Sequence, residues 1–323
     1  MQLFSVPTRF EALPRPTGDR VAVLIPCHNE VAAIATVVAD FRDALPDATI
    51  YVYDNNSADG TAAAARAAGA IVRKEGRQGK GHVVRRMFAD VEADAYVLVD
   101  GDNTYDAAAA AAMVQLLLDE RLDMVNGCRV APLDGGYRRG HRFGNALFTA
   151  AVARLFGRQL SDMLSGYRVF SRRFVKSFPA LAVGFETETE FSVHALDLCM
   201  PLAEVPTAYR DRPPGSTSKL RTVADGWRIA RTILMLVKEH KPLPFFALAA
   251  AALAMVGFCL GLPVILGFIE TGLVPRLPTA LLATGLMLLA SLALTCGLVL
   301  DSVARGRKEM KRLAYLAIPA AGH

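Results

Sequence analysis

The stretch "AYVLVDGDNTYD", residues 95–106, decides how the rest of the chain reads. Its first half is an unbroken apolar run that stops at a turn-forming cluster, the pattern of a strand buried on both faces. Where that run ends stand two carboxylates, Asp100 and Asp102, with only Gly101 between them. Outward from here the same unit recurs. "VAVLIP" (21–26) reads as a buried strand, and the segment from Cys27 to Leu45 as a helix with apolar residues three and four apart. "ATIYVYD" (48–54) is a second strand and "DGTAAAARAAG" (59–69) a second helix closing on Gly69. "AIVRK" (70–74) gives a short third strand and "GKGHVVRRMFADV" (79–91) a third helix. An Ala-rich helix follows residue 106, and "DMVNGCR" (123–129) is a fifth strand. Strands alternating with helices through short polar loops predict an α/β fold, a mostly parallel sheet with helices on both faces. Such sheets bind ligands at the carboxyl ends of their strands. Three polar clusters fall there: Pro26–Glu30, Asp54–Gly60 and Asp100–Asp102.

The chain has 323 residues, 53% of them hydrophobic, and the apolar excess is concentrated near the C-terminal end. No Asp, Glu, Lys or Arg occurs from Pro242 to Ile269 or from Leu277 to Leu300. Each run is long enough to cross roughly 30 Å of hydrocarbon as a helix. Buried helices of a soluble bundle are the alternative, but the runs are too long and too uniformly apolar for that. Two transmembrane helices are therefore expected, at about 243–269 and 278–300. Lys238 and Lys241 precede the first run, and Arg305, Arg307, Lys308, Lys311 and Arg312 follow the second. The positive-inside tendency puts both flanks in the cytoplasm, so a multi-pass protein of a bacterial inner membrane is expected. The opening "MQLFSVPTRFEALPRP" has no long apolar core after a basic start, so no signal peptide is expected. Between residues 222 and 246, Trp227, Ile229, Ile233, Leu234 and Val237 are interleaved with Arg228, Arg231 and Lys238. That mixture predicts an amphipathic helix lying on the membrane. The expected domains are a cytoplasmic catalytic part at 1–221, the interfacial helix at 222–241, and a hairpin with a basic tail at 242–323.

The five cysteines, at 27, 128, 199, 259 and 296, form no CxxC pair, which argues against structural zinc or a disulfide framework. A net charge of +5 suits a membrane surface or phosphorylated substrates, and is not extreme enough to argue for nucleic acid.

Side chains at i and i+2 of an extended segment point the same way, so Asp100 and Asp102 can converge. Like charges that close repel unless a cation sits between them or one takes a proton. Mg²⁺ and Mn²⁺ prefer oxygen and are commonly held by one or two carboxylates plus substrate phosphates. Gly101 leaves room for a ligand to approach the backbone. A nucleotide-sugar diphosphate bridged by a metal fits this pattern. On this segment alone a turn and helix cap made of Asp, Gly and Asn fits equally well.

"IPCHNE", "YDNNSADGT" and "VDGDNTYD" resemble the nucleotide-binding half of family 2 glycosyltransferases of the GT-A fold. "MLSGYRVFSRR" (163–173), "GFETETEF" (184–191) and "VPTAYRDRPPGSTSKL" (205–220) look like the polyprenyl-phosphate glycosyltransferases. That group contains dolichyl-phosphate mannose synthases and bacterial undecaprenyl-phosphate sugar transferases. The resemblance covers about residues 20 to 240. It implies that Pro26, His28, Glu30 and Asp54 hold the nucleotide, together with Asp100, Gly101 and Asp102. It makes Asp102 the principal ligand of Mg²⁺ or Mn²⁺, with Asp100 beside it on the ribose, diphosphate or metal. Many members carry Gln two residues after the second Asp; this chain has Thr104 there, so a third protein ligand is in doubt. Arg129 matches an arginine at the donor phosphates, and Arg212 and Lys219 match a basic pair, spaced one residue wider than in some members. A nucleoside diphosphate leaving group independently calls for Arg, Lys and metal nearby.

Arg139 and Arg142 of "YRRGHRFGN" (137–145), and Arg168 of "SGYR", are expected at the acceptor phosphate. A basic face toward anionic lipid is the rival reading. Glu186, Glu188 and Glu190 share a face only if the segment is extended. A hydroxyl acceptor would need one of them as general base. A phosphate acceptor is already ionised at neutral pH, and positioning is then the expected role. The expected reaction is metal-dependent, inverting transfer of one sugar from a UDP- or GDP-sugar to a polyprenyl phosphate. A hydroxyl acceptor on a lipid-linked glycan and a non-catalytic membrane scaffold are the alternatives. The hairpin also offers a surface for self-association, and no feature separates UDP-glucose from GDP-mannose.

Overall fold

The computed structural model describes residues 20–130, 152, 154, 156–157, 160–180, 186–210 and 234–320. These fall into two compact units, one made of the described residues up to 210 together with 311–320, the other of residues 234–310.

In the first unit, β1 (Val21–Cys27), α1 (Val31–Ala44), β2 (Thr49–Asp54), α2 (Thr61–Ala67), β3 (Ile71–Lys74), α3 (Lys80–Asp90), β4 (Ala95–Leu98), α4 (Ala109–Asp119) and β5 (Met124–Val130) follow the anticipated alternation. The chain then adds β6 (Arg168–Ser171), α5 (Arg172–Ser177), α6 (Thr187–Asp197) and β7 (Leu202–Ala208). One seven-stranded sheet has the order β3-β2-β1-β4-β6-β5-β7. Every pairing is parallel except those of β6, which runs antiparallel between β4 and β5. The fold is thus the mostly parallel, two-faced sheet of the GT-A class. β1 and β4 are buried along almost their whole length, because helices cover both faces and leave no polar side.

β6 and β7 are additions that patterning does not anticipate. β6 is as short as β4 but is no apolar run, since it opens on Arg168 and ends on Ser171. β7 carries Pro206 and sits at the sheet edge, where a missing N–H is tolerated.

Registers set the rim. Cys27 pairs with Asp54 across β1 and β2, and Leu24 with Leu98 across β1 and β4. Leu98 and Asn126 both pair with Arg168. The carboxyl ends of β1, β2, β4 and β5 therefore share one edge with the segment leading into β6. At the opposite end, Asp123 is fully buried and accepts from Ser171 Oγ (2.7 Å), Arg173 Nε and Tyr315 Oη (2.8 Å).

In the second unit, α7 (Pro242–Thr271) and α8 (Leu277–Leu316) are long and apolar enough to cross a membrane. At about 1.5 Å per residue, α7 is roughly 45 Å long and α8 roughly 60 Å. The buried positions between them are small: Ala250 and Gly257 on α7, and Ala283, Ala290 and Gly297 on α8, spaced by seven. A side chain at Gly257 would meet the Ala283 carbonyl oxygen at 3.2 Å, and one at Gly297 the Phe246 Cβ at 2.9 Å. Small residues let membrane helices approach closely, where lipid offers no hydrophobic drive for association. Leu248, Met255, Phe258, Ile265, Leu281 and Leu288 point outward, the inverse of a soluble helix pair.

Candidate functional site

The rim begins with the loop after β1. Pro26, His28 and Glu30 are half-buried there. His28 Nδ1 donates to the Asn55 carbonyl at 2.8 Å, tying the first cluster to the second. The Glu30 amide donates to Thr61 Oγ1 and that of Val31 to Asp59 Oδ2, so the start of α1 is capped by residues after β2. Asp54 ends β2 and is buried. Its Oδ2 accepts from the Ser57 amide at 3.3 Å, and its Oδ1 is buried with no hydrogen-bond partner. A buried carboxylate oxygen without a donor is costly, so this atom asks for an N–H from a ligand.

Asn55 organises the next segment. Its amide group donates to the carbonyls of Glu75 (2.9 Å) and Arg77 (2.7 Å), and its Oδ1 accepts from the Gly79 amide (2.8 Å). This fixes the loop that delivers Lys80, the first residue of α3. Lys80 Nζ lies 2.5 Å from Asp100 Oδ1 and 2.5 Å from Glu188 Oε1. Burial disfavours the ammonium, but the two carboxylates outweigh it and hold the Lys80 pKa above the usual lysine value.

Asp102 is buried, and Thr104 Oγ1 donates to its Oδ1 at 2.6 Å. Thr104, at the place of the family's glutamine, thus braces the carboxylate instead of reaching out as a ligand. The Arg210 amide donates to the Thr104 carbonyl at 2.8 Å, and Tyr105 bridges to Tyr209, so the loop after β4 is stitched to the end of β7. A side chain at Gly101 would meet Cys27 Sγ at 2.5 Å and Ile25 Cγ2 at 3.4 Å, so packing on β1 by itself calls for a glycine there.

Among the described residues, no three His, Cys, Asp or Glu side chains converge as a metal cage. The available donors are carboxylate oxygens. That suits a hard ion such as Mg²⁺ or Mn²⁺, which takes one or two carboxylates and completes its shell with phosphate oxygens and water. Asp102, and Asp100 from its Lys80-braced position, would hold it.

Arg129 lies near the end of β5, with a side chain 18% exposed. It binds Asp162 bidentately, Nε to Oδ2 at 2.7 Å and Nη2 to Oδ1 at 2.8 Å, and stacks over Tyr209 at 5.6 Å. Burial raises the Asp162 carboxyl, but Arg129 outweighs that and holds it below the usual carboxylate range. Arg168 corrects the sequence reading. It is fully buried, and its guanidinium donates to the carbonyls of Ser165 (3.0 Å) and Met163 (2.7 Å) and to Ser192 Oγ (2.9 Å). It supports the core and does not face an acceptor. The glutamates resolve as helix: Glu186 precedes α6, and Glu188 and Glu190 fall in its first turn, so Glu188 lies on a different face from Glu186 and Glu190, which are four apart. Glu188 alone turns into the rim. Arg139, Arg142, Arg212, Lys219 and the helix expected at 222–233 lie outside the described residues.

Lys80, Asn55, Asp162 and Gly166 escaped the sequence reading. The signal for Lys80 was the "GKG" at the start of α3, a cation placed one loop from the carboxylates.

Comparison with known proteins agrees with this geometry. Residues 22–178 match the model of glycosyl transferase family 2. Glycosyltransferase AglJ of Haloferax volcanii is 33% identical over 304 residues, covering 93% of this chain and 99% of the relative. Dolichyl-phosphate hexose transferase of the same organism is 27% identical, covering 70% of this chain and 97% of that one. Glucosyl-3-phosphoglycerate synthase from Mycobacterium tuberculosis, crystallised with Mg²⁺ and uridine diphosphate, has a similar fold, with a TM-score of 0.56 at 24% identity over 68% of this chain and 79% of that one. With a relative matched along nearly its full length and a rim of acidic strand ends to go with it, the chain belongs to glycosyl transferase family 2 and is a glycosyltransferase.

Proposed function

We propose that this enzyme moves one sugar from a UDP- or GDP-sugar to a polyprenyl phosphate, with inversion and with Mg²⁺ or Mn²⁺. The observation that carries the reading is the gathering of Asp54, Asp100 and Asp102 at the carboxyl ends of β2 and β4, the two strands that flank β1, with Lys80 bonded to Asp100. Asp54 Oδ1, buried without a donor, accepts a base N–H, which uracil and guanine both carry. Pro26, His28 and Glu30 line the same loop. Asp102 and Asp100 would hold the metal, which would supply charge compensation for the leaving diphosphate. Arg129, with Arg212 and Lys219 from the segment after β7, adds positive charge to the same group. The lipid phosphate is already an anion and attacks the anomeric carbon directly, so no general base is required. Arg139 and Arg142 receive that phosphate. The names of the relatives support the acceptor class, since one is a dolichyl-phosphate hexose transferase. The hairpin of α7 and α8 holds the enzyme in the membrane, with both outer basic flanks on the cytoplasmic side.

The test is incubation of purified protein with undecaprenyl phosphate and labelled UDP- and GDP-sugars, with Mn²⁺ or with EDTA. Metal-dependent label in the lipid phase, lost in a folded Asp102→Asn variant, supports the reading. Near-normal turnover by that variant would sink the site assignment.

A further inference from the structure

Lys80 and Glu188 have no place in the reaction described so far, yet they are among the more deeply buried charges of the rim. The Lys80 side chain is 10% exposed, that of Glu188 6%, and that of Asp100 31%. Glu188 arrives from α6, far along the chain, and its Oε2 is buried with no partner. Lys80 donates to its Oε1, and the buried Arg168 guanidinium adds a longer-range positive charge. Next to this pair, a side chain at Gly166 would collide with Asp100 Oδ2, and would meet Asp100 Cγ at 3.0 Å and Lys80 Nζ at 3.3 Å. The Asp100 carboxylate is therefore tied to the ammonium while a bare glycine backbone lies against both groups. The Gly166 amide is itself fixed by donating to Tyr105 Oη at 2.9 Å.

The charge pattern has a reason. Lys80 alone would orient Asp100 and, in the same act, repel a divalent cation beside it. Glu188 behind Lys80 brings the sum of the added charges to zero. Asp100 is oriented and keeps its attraction for the cation. Buried ion pairs are weak evidence for stability but are well suited to fixing one arrangement.

We propose that Glu188 and Lys80 form a charge-neutral strut that holds Asp100 in its donor-binding orientation, so that Glu188 is a positioning residue and does not act as a base. This rests on the reading of the rim as the nucleotide-sugar and metal site.

The experiment uses the full chain in detergent. Mn²⁺ binding in the presence of UDP or GDP, whichever the parent protein binds, is measured by calorimetry, alongside kcat at rising Mn²⁺ and the unfolding midpoint. Lys80→Met with Glu188→Met in one protein keeps the net charge of the site and leaves no unpaired partner between them. It is expected to weaken Mn²⁺ affinity on the order of tenfold or more, with a midpoint close to that of the parent. Glu188→Gln exposes the repulsion of Lys80 and raises the Mn²⁺ requirement by a similar factor, while kcat recovers at saturating Mn²⁺. Loss of kcat at every Mn²⁺ concentration with unchanged Mn²⁺ affinity would make Glu188 a group acting on the acceptor and overturn the strut. Parent-like affinity in both variants would overturn it too. Failure of the parent protein to bind either UDP or GDP with Mn²⁺ would remove the reading of the rim itself, and the strut with it.

Discussion

Replacing Arg168 by Met separates a core role from an acceptor role. Met keeps most of the aliphatic length and removes the guanidinium. Three buried acceptors then lose their donors: the carbonyls of Ser165 and Met163, and Ser192 Oγ. Contact with the Phe191 ring, 5.6 Å from the guanidinium carbon, is lost as well. An orphaned buried acceptor costs about 1 kcal/mol at the low end, so the sum is about 3 kcal/mol. Relief from burying the charge, which pushes the Arg168 pKa below its usual value, works in the other direction and keeps the estimate near that low end. For a unit of this size, about 3 kcal/mol corresponds to a midpoint lowered by roughly 6–12 °C. Circular dichroism melts in detergent read that shift. The Michaelis constant for undecaprenyl phosphate, taken well below the midpoint, is expected to stay within about threefold of the parent value, because a core residue makes no acceptor contact. A midpoint shifted by less than about 1 °C, with an acceptor constant raised about tenfold, would refute the reasoning.

Gly166→Ala pushes on the Asp100 carboxylate, and kcat/KM is expected to fall roughly 100-fold with an unchanged circular dichroism spectrum; parent-like turnover would mean Asp100 tolerates displacement. Burial depresses the His194 pKa from 6.5 to about 3. The unfolded chain therefore binds this proton as pH falls below 6.5 while the fold refuses it, so stability is full above 6.5 and declines toward 3. At pH 5 the loss is about 2 kcal/mol, and denaturant titrations of His194→Leu should lack that component; an equal decline in the variant would place it elsewhere. Tyr315→Phe removes one donor from fully buried Asp123, leaving Ser171 and Arg173, and should cost about 1–3 kcal/mol in the same titrations. No measurable cost would mean that water replaces the hydroxyl.

What was legible in the sequence follows from how each element is buried. β1 and β4 announced themselves because strands covered on both faces must be apolar throughout, and β2 by its β-branched and aromatic run. The carboxylates at their ends stood out as the first polar residues after such runs. β6 was invisible because its four residues, unlike those of β4, mix Arg and Ser with Val and Phe, and its partners lie far from it in sequence. The glutamate segment was ambiguous because α6 is buried nearly all round, which erases the one-sided pattern of a surface helix. Arg168 misled for a related reason. A buried arginine and a phosphate-binding arginine look alike until its partners are known, and those partners are main-chain carbonyls that no composition reveals. Lys80 was missed because its meaning depends on Glu188, which only the folded sheet brings within reach.

The place of β6 has a consequence for how the protein is made. β2, β3 and β4 each pair with a strand already synthesised, so the donor half can close as it leaves the ribosome. β5 cannot. Both its neighbours, β6 and β7, come later, and β6 begins only at Arg168. At about 5–20 residues per second, the interval from Val130 to Arg168 is roughly 2–8 s of synthesis. Through that time the outer edge of β4 is bare, as are Met124 and Val125, which native packing hides completely. Unpaired apolar edges recruit other strands. The birth order of the strands thus makes the nascent chain most vulnerable just before the antiparallel β6 appears, and a fragment ending between β5 and β6 would aggregate through edges that the finished sheet pairs.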